Sequence, residues 1–140
     1  MQRVINSSVS EDFGKLILRV VLALLILFHG VAKIIGGAAF ITGMVAKMGF
    51  PPVFGYLVYV GEVVAPLLLL AGIWTRPAAL VVAINMVFAL MLVHTAQFFE
   101  ISKTGGWALE LQAMYLFTAI AIAFLGAGRY SLGGANGKWN

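Results

Sequence analysis

The chain has 140 residues, of which 62% are apolar and 10% charged, and its mean hydropathy is +1.03. Soluble domains carry about a quarter charged residues, so the composition excludes a soluble globule and selects a small polytopic membrane protein of one domain. Nine Lys and Arg against five Asp and Glu give +4, but the basic residues stand singly at the ends of apolar runs, as membrane-interface anchors do, and not in a nucleic-acid-binding patch.

Residues 1–13 form a polar segment that includes Glu11 and Asp12. The apolar run behind it is too long for a signal-peptide core and has no small-x-small cleavage site, so the first span, about residues 14–35, is expected to be retained. Gly36-Gly37 breaks the run. Phe40, Met44, Val45 and Met48 then recur at helical spacing until Gly49-Phe50-Pro51-Pro52 stops them, which predicts a short helix lying along the interface. The second span, about 53–74, is joined to the third, about 77–96, by only Trp74-Thr75-Arg76-Pro77, with Pro77 suited to a first helical turn. These two must form a tight antiparallel hairpin. Gln97 to Gly106 lead to a fourth span at about 107–127, and residues 129–140 form a polar C-terminal tail. Residues 126–140 hold five glycines without apolar periodicity, so the tail is expected to be solvent-exposed and poorly ordered.

Backbone groups in lipid must bond within their own segment, which makes the spans helices. The expected fold is all-α: a four-transmembrane-helix up-down bundle over residues 14–128, with a short interfacial helix between helices 1 and 2. With the N-terminus inside, Arg3, Lys15, Arg19, Arg76, Arg129 and Lys138 fall on the cytoplasmic side and Lys33, Lys47 and Lys103 outside, so both termini are expected to be cytoplasmic.

Ionisable residues inside spans cost at least about 2.5 kcal/mol each near a helix centre, so their positions carry the most information. At ~1.5 Å per residue, His29 lies about 9 Å below the outer boundary, Glu62 about 10–14 Å, and His94 and Glu110 about 5 Å. Lys33 stands at the outer end of the first span. All five belong to one layer. At ~100° per residue Arg19, His29 and Lys33 share a stripe with the small residues Ala23 and Gly30. Gly55, Tyr59, Glu62 and Pro66 share a face of the second helix, and Trp107, Glu110 and Met114 a face of the fourth. Asn85 and His94, nine residues apart, point to opposite sides. His94 is therefore assigned to the common layer and Asn85 to a helix–helix hydrogen bond. A weak repeat fits this layer, since Leu24 to His29 resembles Ala89 to His94, and Tyr59-x-x-Glu62 resembles Trp107-x-x-Glu110.

The chain has no cysteine, which removes disulfides, thiolate metal sites and thiol relays from its own chemistry. Two imidazoles and two carboxylates are also a set for a divalent metal, and His29 with His94 for a bis-His haem, but no His-x-x-His or Glu-x-x-His pair accompanies them, so no metal site is assigned. Clear inverted repeats and broken helices of the transporter kind are not evident, and Pro66 is the one hint of a kink beside Glu62.

Leu18-Arg19, His29-Gly30-x-x-Lys33, Gly61-Glu62, Gly72-Ile73-Trp74-Thr75-Arg76, His94, Gly106-Trp107 with Glu110, and Gly126-Ala127-Gly128-Arg129-Tyr130-Ser131-Leu132 together resemble the DoxX family of small four-helix membrane proteins. The resemblance covers about residues 14–132. Relatives often close with Ser-Leu-Asp where this chain has Ser131-Leu132-Gly133, so no role is carried over to a terminal acid. The resemblance implies a bacterial inner-membrane protein, some relatives being subunits of thiosulfate:quinone oxidoreductase and others occurring with oxidative-stress or sulfur-redox partners. On that footing the chain is expected to be an accessory or quinone-interacting subunit of a membrane oxidoreductase assembly, with a partner subunit or further copies of itself. His29, Glu62, His94 and Glu110 are then candidate proton donors or relays, and Arg19, Lys33, Tyr59, Trp107 and Tyr115 candidate quinone contacts. The alternative is a non-catalytic membrane anchor, assembly factor or small-solute carrier in which the same polar residues hold the helices together.

Overall fold

The computed structural model describes residues 2–140, with side chains from residue 8 onward, so Arg3 of the orientation argument lies outside the described side chains. The elements are α1 (Gln2–Gly36), α2 (Ala39–Lys47), a 3-10 turn (Pro52–Leu57), a π turn (Val60–Val64) running into α3 (Ala65–Ala71), α4 (Thr75–Val93), a 3-10 turn (Thr95–Gln97) and α5 (Glu110–Leu125). Among the described residues, Ser8–Gly36, Pro52–Ala71 and Thr75–Val93 are long and apolar enough to cross a membrane. The 16 residues of α5 are equally apolar but span about 24 Å at ~1.5 Å per residue, short of a ~30 Å hydrocarbon core.

The fourth helix is shorter than expected at both ends for local reasons. Ile101 and Trp107 pair in an antiparallel bridge, and Ser102 N donates to Gly106 O at 2.8 Å and Ala108 N to Glu100 O at 3.0 Å. That hairpin-like loop keeps Trp107 out of the helix. Gly126, at φ 77, stops α5 at the other end.

The core is built where helices approach closely. Leu22, Ala23 and Ile26 of α1, Ala65 and Leu69 of α3, Ala78, Ala79, Val82, Ala83 and Met86 of α4, and Ala119 and Ile122 of α5 form one buried cluster. The many alanines let backbones come close, which is how helices associate where lipid removes the hydrophobic drive between them. The largest apolar side chains point the other way, with Phe28 73%, Ile35 82% and Phe124 79% exposed. Small residues inside and large apolar residues outside suit a lipid solvent, and the chain is accordingly a membrane protein.

One end of the bundle is closed by backbone-directed hydrogen bonds. Arg19 is 1% exposed and donates through Nη1 to Leu69 O at 2.6 Å and Leu70 O at 2.9 Å, and through Nη2 to Tyr130 O. The guanidinium thus neutralises the negative C-terminal end of α3 and supplies donors to its last carbonyls, Leu69 O also accepting from Gly72 N at 3.2 Å. Gly72 ends α3 at φ 68, and a Cβ there would strike Ser131 and the Arg19 guanidinium, so glycine is required twice over. Arg76 does the same for α5, donating through Nη1 to Ala123 O at 3.0 Å and Phe124 O at 2.8 Å.

The tail is not the loose, solvated segment that its glycines suggest. Asn140 is buried, its Nδ2 donates to Gly72 O at 2.9 Å and Gly134 O at 3.0 Å, and its Oδ1 accepts from Thr75 N at 3.1 Å and Thr75 Oγ1 at 3.0 Å. The tight α3–α4 turn, with Trp74 at φ 48, exposes polar backbone groups that the returning tail satisfies. Arg129 Nε also donates to Asp12 Oδ2 at 2.8 Å, which ties the segment after α5 to the N-terminal third of α1. Replacing Arg19 by Met leaves buried carbonyls without donors, at about 1–3 kcal/mol each. The expected outcome is a lower unfolding midpoint in detergent and faster proteolysis beyond Tyr130, and an unchanged midpoint would show that the guanidinium does not hold this end.

Candidate functional site

The second span sets the site, and Pro66 sets the span. Pro66 has no N–H, so the carbonyl of Glu62, four residues earlier, loses its α-helical donor. The backbone responds by widening into the π turn Val60–Val64, with Ala65 N bonded to Val60 O. Such turns are frequent at functional sites. The kink hinted at by Pro66 is therefore a break in α-helical geometry centred on Glu62, where a continuous span was expected. Two glycines make room for it. A Cβ on Gly30 of α1 would overlap the Glu62 carbonyl, and one on Gly61 would overlap the Asn85 side chain of α4. Both neighbours thus close directly on the π turn.

Glu62 is buried, and its carboxylate is paired rather than isolated. Lys33 Nζ donates to Oε2 at 2.6 Å, and Asn85 Nδ2 donates to Oε1 at 3.4 Å. Charge in an apolar interior is tolerable only when matched and hydrogen-bonded, and here α1, the π turn and α4 each supply one member. Tyr59 OH donates to Lys33 O at 2.9 Å, and the Tyr59 ring stacks on Tyr56 with centroids 6.4 Å apart. Tyr59 borders a smaller pocket of about 270 Å³ with Ile34, Val63 and Val64.

Lys33, Glu62 and Asn85 form one polar pole of an open cavity of about 780 Å³ lined by α1, α2, the two turns of the second span, α4 and α5. Its volume is that of a small-molecule site. Phe40, Val45, Phe54, Ile84, Phe88 and Leu111 are among its apolar walls. His29 and Tyr115 also line it, edge to face with centroids 6.3 Å apart. A second polar pole is made by His94 and Gln112, where His94 Nδ1 lies 2.8 Å from Gln97 Oε1 and His94 Nε2 lies 3.5 Å from Gln112 Nε2.

The structure brings His29, Lys33, Glu62, His94 and Tyr115 to this one cavity and leaves other sequence candidates outside it. Arg19 lies 14 positions before Lys33, about 21 Å along α1 at ~1.5 Å per residue, and its Nη1 and Nη2 donate to backbone carbonyls at the opposite end of the bundle. Glu110 opens α5, is exposed, and lays its carboxylate against Gly106. Trp107 sits in the bridged loop, donating from Nε1 to Phe98 O at 2.8 Å. Among the described residues no three His, Asp or Glu gather as metal ligands, because Glu110 is turned away and the two imidazoles have different neighbours.

Asn85 and His94 both face the cavity, against the helical-wheel expectation. His94 has φ −115 and ends α4, so the ~100° rotation per residue no longer applies to it. Gln97 and Gln112 join His94 at this pole, although neither carries the charge that marks a costly residue inside a span. The spacing of His94 and Gln97 at i, i+3 is the signal that would have found one of them.

A family model described as DoxX matches residues 14–95, a stretch that carries His29, Lys33, Glu62, Asn85 and His94. An uncharacterised protein of Haemophilus influenzae is 32% identical over 119 residues, covering 82% of this chain and 84% of that protein. No solved structure matches the chain. With more than half its length under the family model and a relative aligned over most of both chains, the protein belongs to the DoxX family.

Proposed function

We propose that this protein is a quinone-interacting subunit of an oxidoreductase assembly in the bacterial inner membrane, crossing it four times with both termini cytoplasmic. The observation that carries the reading is the paired Lys33–Glu62 at one pole of an otherwise largely apolar cavity. A ring with an isoprenoid tail needs apolar walls for its body and a donor for its carbonyl oxygen. Lys33 Nζ has three N–H donors and gives one to Glu62, so it can donate to such an oxygen. Reduction of a quinone to a quinol takes two electrons and two protons. Glu62 and His29 line the cavity and pass protons at membrane depth, and the electrons come from a bound cofactor or a partner subunit, since the chain has no cysteine to relay them. For the topology, the support is that the Arg129–Asp12 bond sets the N-terminal third of α1 and the segment after α5 at one end of the bundle, where Arg19 and Arg76 also lie.

A second reading has its own observation. Lys33, Glu62 and Asn85 staple three elements together, which an anchor or assembly factor would equally need. Titrating a short-chain benzoquinone into the purified protein in nanodiscs separates the two. Saturable binding that weakens about tenfold in Lys33→Met, the loss of one charge-assisted hydrogen bond, is the expected result. Variants of Lys33 and Glu62 that bind as the parent does, or a parent that binds nothing, and merely melt earlier would leave the staple alone standing. The π turn gives a further prediction. Pro66→Ala restores the missing N–H, allows α-helical hydrogen bonding through Val60–Val64 and turns Glu62 away from Lys33. Quinone binding is expected to fall while helix content by circular dichroism stays level or rises, and unchanged binding would show that the π turn does not place Glu62.

A further inference from the structure

We propose that the cavity opens sideways into the hydrocarbon of the bilayer, between the 3-10 turn Pro52–Leu57 and α4, and that the isoprenoid tail of a quinone lies in this mouth. The proposal rests on the reading of the cavity as a quinone site and adds the path by which the ligand enters and the place where its tail is held.

The mouth is marked by side chains that line the cavity and are exposed as well. Phe54 and Leu57 on the turn, and Ile84, Phe88 and Met91 on α4, all border the cavity, and each is more than half exposed. Ile26, Met86 and Glu62 border it too and are buried, so the cavity runs from a closed floor that holds the carboxylate to an open apolar rim. The two sides of the rim do not pack on each other. Packed helices have axes about 8–10 Å apart, yet no Cα of Pro52–Leu57 comes within 8 Å of one in α4. The neighbouring π turn does close on α4, through Gly61 and Asn85, so the second span parts from α4 as it passes from the π turn to the 3-10 turn.

The depth of this gap decides what it opens to. Ile84, Phe88 and Met91 stand at i, i+4 and i+7 and share a face of α4. They lie inside the span Thr75–Val93, with Ile84 about 14 Å from its end at ~1.5 Å per residue. Among the described residues, Lys33 and Glu62 are the only Lys, Arg, Asp or Glu in the cavity lining, so the rim carries no charge. An apolar mouth at that depth meets acyl chains and not water, and a ligand that uses it must dissolve in the bilayer. Floor and rim belong to one continuous cavity, which suits a molecule with a polar ring at one end and a hydrocarbon tail at the other. The acyl chain of a phospholipid would fill the rim but bring no acceptor to the Lys33 ammonium.

The test uses a benzoquinone whose short isoprenoid tail ends in a photoreactive diazirine, irradiated with the parent protein in nanodiscs, beside a phospholipid with a diazirine in its acyl chain. The quinone probe is expected to label the Phe54–Leu57 and Ile84–Met91 segments, and that labelling to fall about tenfold when unlabelled quinone is added at about ten times its Kd. The phospholipid probe is expected to label outward residues such as Phe117 and Phe124, with no displacement by quinone. Displaceable labelling that falls elsewhere in the chain overturns the mouth and leaves the quinone site standing. So does labelling of the mouth that excess quinone does not displace while titration still shows saturable quinone binding, since the mouth is then occupied by bulk lipid. A mouth that neither probe labels, in discs that hold two copies of the chain, belongs to a self-association surface and overturns the proposal as well. A protein with neither displaceable labelling nor saturable binding overturns both the mouth and the quinone site.

Discussion

A carboxylate inside an apolar helix bundle needs a partner, and the pairing of Glu62 with Lys33 at 2.6 Å constrains everything around it. The cation stands on α1 and the anion on the second span, so the two elements must meet at one height and in one rotation. Gly30 supplies the close approach, since any Cβ there would meet the Glu62 carbonyl. Pro66 frees that carbonyl from α-helical bonding and lets the backbone widen where α1 touches it. Asn85, seated on Gly61, then reaches the second carboxylate oxygen from α4. Removing Lys33 would leave the Glu62 carboxylate buried and unmatched, a larger cost than the pair itself is worth.

The opposite end is held by a different device. Arg19 and Arg76 direct forked donors at the C-terminal carbonyls of α3 and α5, and Asn140 satisfies the α3–α4 turn that lies between them. These contacts go to backbone, so they fix helix ends without defining a pocket. The cavity lies beyond the core cluster, where α2 and the 3-10 turn Pro52–Leu57 take the place of close helix contact.

The apolar runs were legible because composition alone sets them, and the common height of Glu62 and Lys33 followed from counting along a rise of about 1.5 Å per residue. What could not be read depends on contacts between distant residues. The π turn needs Gly30 and Asn85 as well as Pro66, and only Pro66 is local to it. The helical period read from Trp107 to Glu110 is not realised, because the Ile101–Trp107 bridge holds Trp107 in a loop and α5 begins only at Glu110. His94 fails the wheel for the converse reason, having just left its helix. The tail reads as glycine-rich coil, yet the Thr75–Asn140 bonds join residues 65 positions apart, which no local pattern announces.

The division of labour between the basic residues follows from their chemistry. A guanidinium carries five donors in a fixed plane, which suits it to several carbonyls at a helix end, and Arg19 and Arg76 are used in that way. An ammonium is a compact charge with three rotatable donors, and Lys33 has committed one of them to Glu62. Arg19 is sealed from its surroundings, whereas Lys33 is only partly buried and lines the cavity. Two cations on one helix stripe therefore act differently. The one whose donors are directed at backbone holds the fold, and the one with donors to spare faces the space where a ligand would sit.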